Sequence, residues 1–171
     1  MSLDPESCLQ RISMQAAPAA PTSVTLAIFG GQLLMHVGLE NGVVLRTVVD
    51  IVTGVLSDSR SRVLGTAQVL QAKLKMAGGD AIVMMSNKPW LCYLHMERIQ
   101  MTPLSYEHLD QANSFSSSKC PEGLVAIAGS TLRIITVERL GESFTQTVLP
   151  LLYTPIKIQV HPQTNFLVVL Q

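Results

Sequence analysis

Four histidines, three cysteines and twelve carboxylates are the groups in this 171-residue sequence that could do acid–base, nucleophilic or metal chemistry. Such chemistry needs several of them together: a nucleophile beside its base, or three to four ligands around one ion. His36, His95, His108 and His161 stand singly, and no H-E-x-x-H is present. Cys8, Cys92 and Cys120 are odd in number, far apart and without C-x₂-C spacing. They read as reduced, intracellular thiols that pack as small core hydrophobes. There is no G-x-x-x-x-G-K-[ST], no G-x-G-x-x-G and no G-x-S-x-G. Gly30-Gly31 lies between two apolar runs and reads as a hairpin turn rather than a phosphate cradle. Asp50, Asp58 and Asp80 sit beside turns, where Asp commonly bonds its own backbone. His36 and His95 read as strand histidines at equivalent positions of a repeat, satisfied within the core or between units. The expectation is no catalytic residue, no cofactor and no metal.

Two short basic stripes remain, Lys73 with Lys75 and Arg60 with Arg62. A surface that tracks a nucleic-acid backbone needs several such cations and exposed aromatics for stacking. Aromatics are only 5% of the chain, and Trp90 lies in an apolar run that reads as core. Solvated strand faces are the better reading of both stripes.

The elements that would position these residues follow a period close to two. Leu70, Ala72, Leu74 and Met76 alternate with Gln71, Lys73 and Lys75, the pattern of a half-buried strand, and Ile156 to His161 alternates likewise. Val43 to Val49, Ile82 to Met85 and Phe166 to Leu170 are apolar on both faces, as in strands covered on both sides. Asn41-Gly42, Thr53-Gly54, Gly78-Gly79, Asn87-Lys88-Pro89 and Gly129-Ser130 supply the turns. The best helical candidate, Ser105 to Ala112, would make a turn or two, and Asn113 to Lys119 reads as a Ser-rich loop. The fold class is all-β.

Repetition gives the architecture. LLMHVGLENGVVLRTVVD from Leu33, AIVMMSNKPWLCYLHMER from Ala81 and GLVAIAGSTLRIITVER from Gly123 share one plan of strand, short turn and strand. NFLVVLQ from Asn165 begins a fourth, so the starts lie 48, 42 and 42 residues apart. A period of about 40–50 residues holding four short strands is the blade of a β-propeller. The reading is about three and a half four-stranded blades in antiparallel meander, fewer than the four or more blades of a closed ring.

Composition agrees with that plan. Positive and negative residues balance at twelve each, charged residues are 14% of the chain, and hydrophobic residues reach 47%. Disordered, fibrous and nucleic-acid-tail classes are excluded. The run Val24 to Leu39 is interrupted by Thr25, Gly30-Gly31, Gln32 and His36, so it does not read as a membrane span. The N-terminal MSLDPESCLQ lacks the basic region of a secretory signal. Length alone allows one domain with a sizeable core. The blade spacing recasts it as part of a larger propeller, whose cover lies outside this chain.

The strings GLENGVVLRTVVD, TGVLSDSRSRVLGT, TPLSYEHL, CPEGLVAIAGSTLRIITVERLG and PLLYTPIKIQVHP resemble successive segments of the splicing factor 3b propeller-subunit family. More distant kin are the large subunits of damaged-DNA-binding protein and of the cleavage and polyadenylation specificity factor. The resemblance covers nearly the whole chain from Leu3. It implies that residues 1–153 are the last blades of one propeller, and that residues 154–171, from near Thr154-Pro155, begin the next blade or propeller. It implies a nuclear, non-enzymatic scaffold of pre-mRNA splicing that supports U2 small nuclear ribonucleoprotein assembly and branch-site recognition. The implied partners are other splicing factor 3b subunits, notably a helical-repeat subunit and a small subunit. RNA contact is then indirect or weak, with no membrane and no small-molecule substrate. The alternative is a related scaffold of a cullin ubiquitin ligase or of mRNA 3′-end processing. The chain departs from the family pattern at three places. Ile51 stands where Pro is usual, Ile156 stands where a basic residue is usual, and a polar insertion near Gly31-Gln32 is missing.

Overall fold

The computed structural model describes residues 13–76 and 78–137 and the strands Lys157–Val160 and Leu167–Leu170. Among these residues every regular element is a strand, and every pairing is antiparallel. The chain divides into two compact units, Met1–Leu140 and Gly141–Gln171.

The first unit carries three sheets laid down in chain order. The first blade is β1 (Pro21–Phe29), β2 (Gln32–Leu39), β3 (Val43–Val49) and β4 (Leu56–Val63), paired in that order. The second is β5 (Leu70–Met76), β6 (Gly79–Met85), β7 (Pro89–His95) and β8 (Arg98–Pro103). The third holds β9 (Gln111–Phe115), β10 (Gly123–Ala128) and β11 (Thr131–Thr136). Four-stranded meanders in succession are propeller blades, so the array is a partial β-propeller. In the second unit, β12 (Lys157–Val160) and β13 (Leu167–Leu170) form a hairpin pair.

The turns fall where the sequence places them. Gly30 and Gly31 have φ of +57° and +77° between β1 and β2, the double positive φ that a tight two-residue hairpin requires. Gly42, at φ +80°, is held for a second reason. A Cβ there would meet the Gly65 carbonyl oxygen at 2.1 Å, because the turn after β2 lies against the link between the first two blades.

The core is two seams, and the second blade contributes to both. The period of two along β6 sends Ile82 and Met84 into the seam with Ala27, Phe29, Leu34 and Val44 of the first blade. It sends Ala81, Val83 and Met85 into the seam with Leu124, Ala126 and Ala128 of the third. On β7, Cys92 joins the first seam while Leu91 and Tyr93 join the second. This is why residues 82–85 are apolar without alternation: both faces of the sheet are covered.

Two expectations need correction. Ser105 to Ala112 is not helical: residues 105–110 form bends and irregular backbone, and Gln111 and Ala112 already lie in β9. The stretch read as a Ser-rich loop begins inside that same strand. Asn113, Ser114 and Phe115 pair with Val125, Leu124 and Gly123. Polar side chains do not prevent this, because ladder hydrogen bonds come from the backbone and Asn113 and Ser114 point to solvent on a sheet edge. The reading of Thr154-Pro155 as a boundary and the departure at Ile156 lie outside the described residues, as do Cys8 and His161.

Candidate binding surfaces

The seam between the first two blades is tied by polar contacts near both ends of β1. Ser23 Oγ and Thr22 Oγ1 both donate to the Val69 carbonyl at 2.7 Å, and the Ile28 N–H donates to Asp80 Oδ2 at 2.8 Å. Asp80 is 8% exposed and also pairs with Lys73 and Lys75 across the β5–β6 ladder. Burial pushes its pKa up, but the Ile28 N–H and the two lysines outweigh that and hold it at about 2. Asp80 therefore joins two blades instead of bonding its own turn, as the sequence had suggested. Asp50 does behave as expected, accepting the Val52 and Thr53 N–H groups at 2.8 Å. Asp58 pairs instead with Arg60. Asp80 pairs with both lysines and offsets one of the two charges of the Lys73–Lys75 stripe.

The histidines separate. His36 is fully buried in β2, with Phe29 edge-on at 5.9 Å and Cys92 Sγ at 4.0 Å from Nε2. Its Nδ1 has no hydrogen-bond partner among the described residues, so it is not the satisfied core histidine expected. Burial, and then the Arg46 guanidinium, hold its pKa at about 4, so the ring is neutral near pH 7. His95 ends β7, the third strand of its blade, whereas His36 lies within the second strand, so their positions are not equivalent. The strand register puts His36 opposite Arg46 and His95 opposite Arg98. His108 Nδ1 donates to the Ser86 carbonyl at 2.7 Å, tying the link after the second blade to the β6–β7 turn. Burial also pushes the Cys92 thiol up to about 12, so it packs as a hydrophobe, and Cys120 is half-buried. Among the described residues no group of three or more His, Cys, Asp or Glu could hold a metal ion.

A basic feature stands on strands β3 and β4 of the first blade, facing β8 of the second. Arg46 of β3 is directly opposite Arg60 of β4, and Arg62 is opposite Val44. All three arginines line a cleft of about 260 Å³ with Val44, Ser61, Ile99 and Met101. Arg62 lies over the Trp90 ring, 5.4 Å from its centroid. Trp90 is thus half-buried beneath a cation rather than enclosed in the core. The sequence showed Arg60 and Arg62 by their i, i+2 spacing. Arg46, fourteen positions away, was invisible until the β3–β4 register was known.

The outer faces of the array are apolar and open. Val24, Leu26 and Ile28 project from β1, and Ile127, Leu132 and Ile134 project from β10 and β11. The second seam carries its own apolar cavity, of about 270 Å³, floored by Val83, Leu109, Leu124 and Ile135.

Consecutive antiparallel meanders, two of four strands and one of three among the described residues, that share their cores seam by seam, with apolar faces left at both ends, define a propeller-blade array with surfaces for further protein. Residues 1–137 match the family model described as the RSE1/DDB1/CPSF1 second beta-propeller, and the chain belongs to that family. It is 46% identical over 185 aligned positions to splicing factor 3B subunit 3 of Danio rerio, covering all of this chain and 15% of that protein. It is 45% identical over 183 positions to spliceosome-associated protein 130 A of Arabidopsis thaliana, again across the whole chain. Pre-mRNA-splicing factor RSE1 of Mycosarcoma maydis is 42% identical over 170 positions, covering 95% of this chain and 14% of the relative. The chain spans about 15% of the length of these curated relatives.

Proposed function

We propose that the chain acts as a non-enzymatic protein-interaction scaffold of pre-mRNA splicing. The carrying observation is its 46% identity, over its whole length, to a splicing factor 3B subunit 3. The open apolar faces support the reading, since blades of this family are built to be covered by neighbouring protein. On this reading the chain works in the nucleus with other splicing factor 3b subunits, among them a helical-repeat subunit and a small subunit. It supports U2 small nuclear ribonucleoprotein assembly and branch-site recognition. Residues 1–153 then complete one propeller and residues 154–171 open the next.

Affinity purification of the tagged protein from its own cells, followed by mass spectrometry, tests the proposal. Recovery of U2 components is the expected result. Their absence, with cullin ligase or 3′-end processing subunits in their place, would move the scaffold to another system.

A further inference from the structure

The three-arginine cleft has a local cost that the fold alone does not explain. Like charges placed directly opposite on neighbouring strands are destabilising, and Arg46 and Arg60 are such a pair. Arg60 is relieved by Asp58, with Nη2 to Oδ2 at 3.1 Å. That contact depends on an irregularity in the β3–β4 register between Arg46 and Val48, where Asp58 takes a φ of +44°. Arg46 has no hydrogen-bond or ion-pair partner among the described residues, although it is half-buried and its guanidinium has five N–H donors. Among the described residues Arg62 has the face of Trp90 and no ion-pair partner. The floor between these cations is apolar, made of Val44, Ile99 and Met101.

We propose that this cleft binds an acidic peptide segment of a partner protein. A carboxylate of that segment is held by Arg46 and Arg62, with the Asp58-paired Arg60 beside them, and an adjacent apolar side chain rests on Val44, Ile99 and Met101. Planar guanidinium groups match carboxylates in a two-pronged geometry, and a partly desolvated cation gains most from such a partner. A nucleic-acid backbone fits less well. Sequence-tolerant strand binding uses exposed aromatic platforms along a basic groove, whereas the sole tryptophan here is covered by Arg62. The proposal does not depend on the splicing assignment, since any propeller scaffold could use such a cleft.

The test is fluorescence anisotropy with the full chain and a fluorescein-labelled peptide of repeated Asp-Leu-Glu-Ser units. Its comparators are the same peptide with Asn and Gln for the acids, and single-stranded oligouridine. Saturable binding of the acidic peptide, weakened by salt, is expected. Arg46→Gln should weaken it about tenfold and Arg46→Lys less, because Lys keeps the charge but not the fork. Arg98→Gln, an exposed control on β8, should leave it unchanged. Circular dichroism monitors folding. If Arg46→Gln unfolds the chain, Arg62→Gln at an exposed position carries the same expectation, and Arg60→Gln a smaller loss. Equal binding of the neutral peptide, indifference to all three arginines, or no binding by the folded chain would overturn the proposal. Preferential binding of oligouridine lost with the same variants would replace it with a nucleic-acid site.

Discussion

The Asp80 carboxylate and the Ile28 amide, 52 residues apart in sequence, form a 2.8 Å hydrogen bond that joins the second blade to the first strand of the first. Ile28 sends its side chain outward to solvent while its backbone reaches inward, so one residue serves the open face and the seam together. Asp80 is held by that amide and two lysines, and this makes it a pH-sensitive tie.

Its carboxyl pKa is lower in the folded chain, about 2, than the ordinary 3.8. A depressed carboxylate adds stability that is present above the unfolded value and lost as pH falls through the folded one. Urea unfolding should therefore show stability falling between pH 3.8 and pH 2 in the wild type. Asp80→Asn should flatten that slope and cost about 1–2 kcal/mol at neutral pH, a figure reduced for the solvent around Lys73 and Lys75. An unchanged acid limb in the variant would mean that other carboxylates carry it.

His36 titrates in a separate window. Burial and Arg46 lower its pKa from 6.5 to about 4, so the unfolded chain binds the proton first as pH falls. Stability is then full above pH 6.5 and declines between 6.5 and 4, by about 3 kcal/mol in all if no other group compensates. His36→Leu removes both the titration and the unpartnered Nδ1, and should flatten this limb at little cost near pH 7. Unfolding midpoints measured across that range decide it.

Seam residues and open-face residues should differ sharply. Met84→Ala empties a fully buried position between blades and should cost about 2–5 kcal/mol in urea unfolding. Leu132→Ala removes a side chain that is 72% exposed and should stay within about 0.5 kcal/mol. Similar costs at the two sites would show that the outer face is covered in solution.

The exposed β1 and β11 faces, at zero net charge, favour association. Sedimentation velocity of the 171-residue chain should show mass rising with concentration, and Leu26→Lys with Leu132→Lys should reduce it. A monodisperse wild-type monomer would contradict this expectation.

The blade plan was legible because blade strands keep a strict period of two and their turns use Asn, Gly and Pro. β5 reads from Leu70 to Met76 as the structure has it. β9 was missed because an edge strand needs only backbone partners, and Asn113 and Ser114 carry the composition of a loop. The candidate sites were less legible. Asp80 and Arg46 matter through what they face across sheets and strands, and sequence spacing does not encode those neighbours. His36 and His95 looked equivalent because both stand singly in apolar strand runs, but they belong to different strands of their blades.

The alternation on β6 also orders the way the array can come apart. Ile82 and Met84 belong to one seam and Ala81, Val83 and Met85 to the other, so separating either neighbour still leaves β6 clamped on one side. Loss of the first blade or the third would bare half of its side chains and leave the strand in place. Its amides are bonded in the plane of the sheet to β5 and β7, so they exchange with solvent only when those ladders break, and a sheet that keeps one face covered holds its ladders longest.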